Sequence, residues 1–137
     1  MEQDQSIVKA LFDTMAIRVS PADQPFWYTS GTLGPYYINT HFLYGSEAQA
    51  NQLLTLIEQA VQTPLELPGM LATVILEHYQ QQPVFKAVID QLVDAVSTFD
   101  FDVVSGGERR DFFFSIAAPA RTGKPHVAIL KHGNAYW

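Results

Sequence analysis

The chain has 137 residues, a length that fits one domain, and 47% of them are hydrophobic, which is enough for a packed core. No apolar run approaches the roughly 18–20 residues that cross a bilayer, and the acidic, polar start is unlike a signal peptide. The absence of cysteine excludes disulfides and thiolate metal sites. We therefore expect a cytoplasmic protein without a membrane partner.

The net charge of −6 is unevenly distributed along the chain. Residues 1–102 carry −9, whereas residues 103–137 carry +3, because five of the eight lysines and arginines lie in that short segment. A basic end on an acidic body favours a local anionic ligand, although chance clustering would give the same pattern. It argues against nucleic acid, which usually binds a basic domain.

Apolar residues at helical spacing predict four helices before residue 100, over Ser6–Val19, Ser46–Val61, Met70–Tyr79 and Val84–Val96. The second helix begins with Ser46 at capping-box spacing from Gln49. Between the first and second helices, β-forming aromatic residues flank a glycine-bearing turn within residues 26–39. That stretch is predicted to form a hairpin of two short strands.

The pattern changes after residue 99 to a strand over Phe101–Ser105, a short helix over Asp111–Ala118 and a strand over His126–Lys131. A βαβ unit of this kind favours parallel pairing of its strands. Parallel sheets normally contain more than two strands, so we expect the front part of a larger α/β fold, or a sheet that another chain completes. Residues 1–99 would then be an N-terminal unit, and residues 100–137 the first βαβ unit of one incomplete domain.

The segment Ser105-Gly106-Gly107-Glu108-Arg109-Arg110 joins the first strand of this unit to its helix. Glycines let a backbone bend and approach a ligand closely, and the N-terminus of a helix suits anions. Two guanidinium groups at the same place make a phosphate or pyrophosphate the natural ligand. The alternative is an ordinary βα turn with two solvated arginines, because a glycine-rich turn alone is a weak signal.

Two stretches of the chain resemble the orotate phosphoribosyltransferase family, a branch of the type I phosphoribosyltransferases. Residues 26–39, with Ser30-Gly31 and Pro35-Tyr36-Tyr37-Ile38-Asn39, are similar to the N-terminal hood signature of that family. Residues 102–131 resemble its strand, diphosphate loop, helix and next strand. The resemblance implies an α/β fold with a Rossmann-like parallel sheet, incomplete here, preceded by a helical and β-hairpin hood.

The resemblance also implies a function, namely transfer of a phosphoribosyl group from phosphoribosyl diphosphate (PRPP) to a pyrimidine-like base, with release of pyrophosphate. Mg²⁺ would be bound together with PRPP, and the protein would be a possible homodimer. Tyr37 falls where the family has an aromatic residue that lines the orotate ring, Arg110 where it has a lysine of the diphosphate loop, and Lys131 where a basic residue contacts diphosphate. Gly106, Gly107 and Arg109 would complete the diphosphate site.

Four features depart from the family pattern. The segment Ser105–Arg110 is not the usual wording of the diphosphate loop, and the region from Leu65 to Phe99 is longer than the family pattern, as if a helix had been inserted. Thr29 stands where the family usually has a lysine, and these 137 residues contain no strand ending in paired acidic residues followed by the Thr/Gly-rich loop that binds the ribose phosphate. Two further interpretations therefore stay open: a truncated, non-catalytic relative that binds an anion or a partner chain, and a plain α/β interaction module. No catalytic residue is assigned. The four histidines, His41, His78, His126 and His132, lack metal-ligand spacing, so no metal site is predicted.

Overall fold

The computed structural model describes residues 2–137, with side chains from residue 5 onward. Its α-helices, α1 to α6, span Glu2–Asp13, Glu47–Ala60, Leu67–Gln81, Pro83–Val96, Phe112–Ser115 and Pro119–Thr122. Its strands, β1 to β7, span Ile17–Val19, Phe26–Trp27, Leu33–Gly34, Tyr36–Ile38, Val104–Gly107, His126–Ile129 and Ala135–Tyr136. A 3₁₀ helix covers Thr40–Tyr44. The fold is a mixed α/β arrangement with small sheets.

The N-terminal helix is shorter than the sequence predicts, because α1 ends at Asp13 and Ile17–Val19 forms a strand instead. The backbone turns out of the helix at Met15, whose φ is +61°. β1 then pairs antiparallel with β4, with Ile17 opposite Ile38. Ile17 is β-branched and fits a strand better than a helix end, so the pairing partner decides the structure of this segment.

The predicted hairpin is confirmed in residues 26–34, where β2 pairs antiparallel with β3. The connecting loop closes with a hydrogen bond of 2.8 Å from the Tyr28 amide to the Thr32 carbonyl. Gly34 is required at the end of β3, because a Cβ there would lie 2.1 Å from the Tyr28 hydroxyl. The remaining aromatic residues of the stretch form β4, which belongs to the other small sheet.

The three middle helices agree with the prediction to within a few residues. The Ser46 hydroxyl caps α2 by accepting a hydrogen bond of 3.2 Å from the Gln49 amide. The apolar stripes of α2, α3 and α4 face one another and form much of the core, with Leu53, Ile57, Leu71, Ile75, Phe85, Ile89 and Val93 buried. Among residues 2–137, none of the helices has the length and hydrophobicity of a membrane span.

The C-terminal sheet has the order β5–β6–β7. β5 and β6 are parallel, with Val104 opposite His126, as the βαβ pattern predicts, whereas β7 is antiparallel to β6. The crossover contains two short helices, α5 and α6, instead of the single helix predicted over Asp111–Ala118, because Pro119 begins a separate turn of helix. Two parallel strands with one antiparallel neighbour are less than the Rossmann-like sheet that the resemblance implies.

An apolar cavity of about 920 Å³ is lined by residues of α4, β5 and α5 and of the segment that leads into β5. Its lining includes Leu92, Val96, Phe101, Val103 and Phe114. Phe99 also lines the cavity, and 72% of this residue is exposed to solvent. In the described part of the chain, β6 is the one strand that pairs with β5, so the other edge of β5 has no strand beside it.

Candidate functional site

The two glycines of the basic segment lie within β5 and not in the turn that was predicted for them. Gly106 is buried in the strand, and a Cβ added there would lie 2.1 Å from the Ser115 hydroxyl of α5. The glycine is thus needed for close packing of strand against helix, a tertiary requirement that the local sequence does not reveal. The actual turn is Glu108–Asp111, which we call the basic turn.

The helix that follows the basic turn contains four residues, Phe112–Ser115, and its N-cap residue Asp111 makes no capping hydrogen bond with its side chain. A single turn of helix has a much smaller dipole than a long helix, so the predicted anion site at a helix N-terminus is not supported. Any anion at this place would be held by side chains and by the backbone of the turn.

Glu108 ties the basic turn to the end of the neighbouring strand. Its amide donates a hydrogen bond of 2.8 Å to the Ile129 carbonyl, and its carboxylate accepts one of 3.1 Å from the Lys131 amide. Lys131 and the two arginines therefore lie at the adjacent carboxyl ends of two parallel strands. This is the edge at which open α/β sheets generally bind ligands.

The two arginines of the basic turn differ in their partners. Arg109 forms an ion pair with Glu58 in the last turn of α2, and its side chain is one third exposed. Arg110 is exposed and makes no ion pair or hydrogen bond with its side chain to any residue that the structure describes. Arg110 is therefore the cation of this turn that is available to a ligand. Arg109 would have to bind a ligand while it is also paired with the Glu58 carboxylate.

His41 lies under the basic turn and is the main site residue to which the sequence assigned no role. It is buried in the 3₁₀ helix, with its ring centroid 4.6 Å from that of Phe42 and 5.7 Å from that of Phe113. Burial, with added repulsion from Arg110 and Arg109, lowers the pKa of His41 from 6.5 to about 4. The imidazole is therefore neutral at physiological pH. Arg109 and Arg110 both lie close enough to His41 to disfavour its charged form.

Tyr37, the predicted base-lining residue, lies on β4, with 38% of the residue exposed. Its ring packs edge-on against Phe26 at 6.0 Å and lies 6.1 Å from the ring of Tyr28. Arg18 of β1 is its direct partner in the antiparallel pair. Arg18 also forms an ion pair with Glu47, whose carboxylate acts on His41 as well.

The sequence could have revealed Arg18, because it alternates with Ile17 and Val19 as a polar residue does in a short strand. It gives no comparable signal for His41, which stands in an aromatic stretch without a partner at a recognisable spacing.

The other titratable candidates have structural partners. His126 contacts the Ser115 hydroxyl at 2.9 Å, and burial lowers its pKa. His78 stacks on Tyr44 and bonds to the backbone carbonyl of that residue. No group of three or more His, Asp or Glu side chains that could hold a metal ion occurs among the residues described.

Comparison with known proteins gives partial matches to one kind of enzyme. The chain is 33% identical over 90 residues to an adenine phosphoribosyltransferase of Bifidobacterium animalis subsp. lactis (strain AD011), which covers 64% of this chain and 46% of the relative. It is 32% identical over 66 residues to an adenine phosphoribosyltransferase of Butyrivibrio fibrisolvens, which covers 48% of this chain and 37% of the relative. No protein-family model matches.

The matches cover less than half the length of each of these curated relatives. They support the coarser part of the resemblance, the relation to type I phosphoribosyltransferases, and give no support to orotate in particular. The chain thus shows a distant, partial similarity to adenine phosphoribosyltransferases.

Proposed function

We propose that the chain is part of a phosphoribosyltransferase that uses PRPP and an aromatic base in nucleotide metabolism. In this reaction a ring nitrogen of the base forms a bond to C1 of the ribose and gives up its proton to solvent, and the bond from C1 to the pyrophosphate oxygen breaks. The electron pair of that bond leaves with pyrophosphate. The group that most needs stabilisation is therefore a multiply charged anion.

The observation that carries the proposal is the arrangement at the carboxyl ends of β5 and β6. The Glu108 carboxylate holds the basic turn against the backbone amide of Lys131. Arg110 and Lys131 therefore follow the ends of two adjacent parallel strands. Guanidinium and ammonium groups at such a place stabilise the charge that develops on pyrophosphate as it leaves. Gly106 and Gly107 would contribute to the site through the backbone of β5, which packs closely against the crossover. Arg109 would interact with the ligand while it stays paired with Glu58.

Mg²⁺ is the ion that accompanies PRPP in the family that the chain resembles. Since the described residues contain no cluster of carboxylates suited to a metal ion, the phosphate oxygens would carry this ion into the site. When bound, it would neutralise part of the pyrophosphate charge. The role of this chain would be to orient the diphosphate through Arg110 and Lys131.

The base would lie against Tyr37, whose partly exposed ring offers a flat surface to a heteroaromatic ligand. The sequence resemblance implies a pyrimidine such as orotate, whereas the two relatives are named for adenine. The relatives support phosphoribosyl transfer in general, and the choice of base rests on the residues beside Tyr37.

Titration of pyrophosphate into the chain by isothermal calorimetry tests the proposal. Arg110→Ala should weaken binding by about 10- to 100-fold, because a hydrogen bond to a charged group contributes about 1.5–3 kcal/mol. Arg121→Ala is the matched control, since Arg121 pairs with Asp90 and Asp94 and lies outside the basic turn. Equal affinity in all three proteins would refute the diphosphate site. If pyrophosphate binds as expected, an assay of PRPP turnover by the protein would separate a transferase from a non-catalytic relative that binds anions.

A further inference from the structure

A second cavity, of about 390 Å³, lies between α2 and α3, and its volume is in the range of small-molecule sites. On α2 it is lined by residues at helical spacing, namely Gln49, Gln52, Leu53 and Leu56. Glu47 and Glu58, whose ion pairs belong to the proposed site, fall on the opposite face of this helix, because each residue turns an α-helix by about 100°. The cavity therefore lies apart from the basic turn and from the small sheet.

Tyr44 supplies this cavity with a polar group that lacks a partner. The residue is 4% exposed and lines the cavity, but its hydroxyl makes no hydrogen bond to any residue that the structure describes. The hydroxyl is not sealed from solvent, so it opens on the cavity. Burial raises the pKa of Tyr44 to about 12, so the group stays protonated and can both donate and accept. Since buried polar groups nearly always have a partner, an unpaired hydroxyl here indicates a ligand.

The other polar side chains that line the cavity are three amides and one carboxylate, those of Gln49, Gln52, Gln81 and Glu77. The Gln81 amide donates a hydrogen bond of 3.3 Å to the Glu77 carboxylate, which makes no ion pair with a described residue. An amide and a hydroxyl each donate and accept hydrogen bonds, whereas a carboxylate only accepts them. A ligand that satisfies this set must carry both donors and acceptors on several of its sides.

The same lining argues against charged ligands and against flat ones. None of the described residues that line the cavity is a lysine or an arginine, and Glu77 would repel a phosphate or a carboxylate. A polyamine carries donors alone, so it would leave the amide and phenol donors unpaired. The buried Tyr44 ring is stacked on His78, with the centroids 3.6 Å apart, so it offers no exposed face to a nucleobase.

We propose that this cavity binds a neutral monosaccharide, a ligand whose hydroxyls both donate and accept hydrogen bonds around a ring. The Tyr44 hydroxyl, the three amides and the Glu77 carboxylate would bond to the sugar hydroxyls. The aliphatic side chains of the lining, those of Leu53, Leu56 and Val74, would contact the C–H groups of the ring. The inference does not depend on phosphoribosyl transfer, because the cavity shares no residue with the proposed diphosphate and base sites.

Calorimetric titration of the whole chain with D-glucose, D-galactose and D-ribose at millimolar concentrations tests the proposal. At least one of these sugars should bind saturably, and Tyr44→Phe should weaken its binding by about 2- to 10-fold, the range expected for one hydrogen bond. Without sugar, Tyr44→Phe should keep the melting temperature of the unmodified chain, because the hydroxyl has no partner to lose. Tyr79→Phe is the matched control, since the Tyr79 hydroxyl bonds to Asp90 outside the cavity. This variant should lower the melting temperature and leave the sugar affinity unchanged.

Glu77→Gln separates a sugar from a cation. Glutamine keeps an acceptor oxygen at the same reach, so the sugar affinity should stay within about threefold, whereas a cation would lose at least about tenfold with its charged partner. Spermidine and adenine are titrated beside the sugars as representatives of the cationic and the flat ligands.

Four results would overturn the proposal. The first is that none of the three sugars binds, and the second is that Tyr44→Phe leaves their affinity unchanged. The third is tighter binding of spermidine or adenine that Tyr44→Phe weakens, which would assign the cavity to another class of ligand. The fourth is a loss of melting temperature in sugar-free Tyr44→Phe as large as that in Tyr79→Phe, which would show that the hydroxyl has a partner within the fold.

Discussion

Mild acid should destabilise the fold through His41. The unfolded imidazole has a pKa of 6.5, and burial together with Arg110 and Arg109 lowers the folded pKa to about 4. Below pH 6.5 the unfolded state therefore binds the proton more readily, so the free energy of unfolding falls as the pH falls from 6.5 towards 4. With these two values, the free energy of unfolding decreases by about 2 kcal/mol between pH 7.5 and pH 5.

Urea unfolding of the unmodified chain and of His41→Gln, at pH 7.5, 6.5, 5.5 and 5.0, measures this term. Glutamine keeps a polar side chain of similar reach but does not titrate in this range, so its stability should fall less by about 2 kcal/mol. Burial also lowers the pKa of His126, and this gives both proteins a common slope of the same sign. Parallel pH profiles for the two proteins would refute the burial and the charge environment assigned to His41.

Two further predictions concern the strand and the basic turn. Gly106→Ala should lower the free energy of unfolding by about 1–3 kcal/mol, because the new Cβ would lie 2.1 Å from the Ser115 hydroxyl. Ser115→Gly in the same chain should recover part of this loss. If urea unfolding shows that the two substitutions cause additive losses, the steric explanation is wrong. Pyrophosphate should raise the pKa of His41, because an anion at the basic turn offsets the arginine charges that lower this pKa. NMR titration of the His41 ring protons measures the change. A His41 pKa that stays the same at saturating pyrophosphate would place the anion elsewhere.

The helical part of the fold follows from the sequence because its signals are local. The apolar stripes of α2 and α4 repeat every three to four residues, and Ser46 and Pro83 mark their first turns. β1 escaped prediction because its three residues also fit a helix, and their structure depends on β4, which lies about twenty residues further along the chain. The strand assignment of Gly106 likewise depends on Ser115, which the chain brings back only after the basic turn.

The candidate site was predictable only in part for the same reason. Basic residues at the end of a strand pattern led to Arg110 and Lys131, because neighbouring parallel strands end at one edge. The ion pair between Arg109 and Glu58 joins residues 51 positions apart, and nothing in the local sequence indicates it. The structure thus divides two adjacent arginines, which look equivalent in the sequence, into one with a carboxylate partner and one available to a ligand.

Helix α2 links the two halves of the proposed site through one carboxylate at each of its ends. Glu47 in its first turn holds Arg18 of the small sheet, and Glu58 in its last turn holds Arg109 of the basic turn. Eleven residues of α-helix separate the two glutamate backbones by about 16 Å. A single phosphate cannot span such a distance, whereas a base and a phosphorylated ribose placed end to end approach it. Under the proposed function, the base at the small sheet and the diphosphate at the basic turn would therefore lie towards opposite ends of α2.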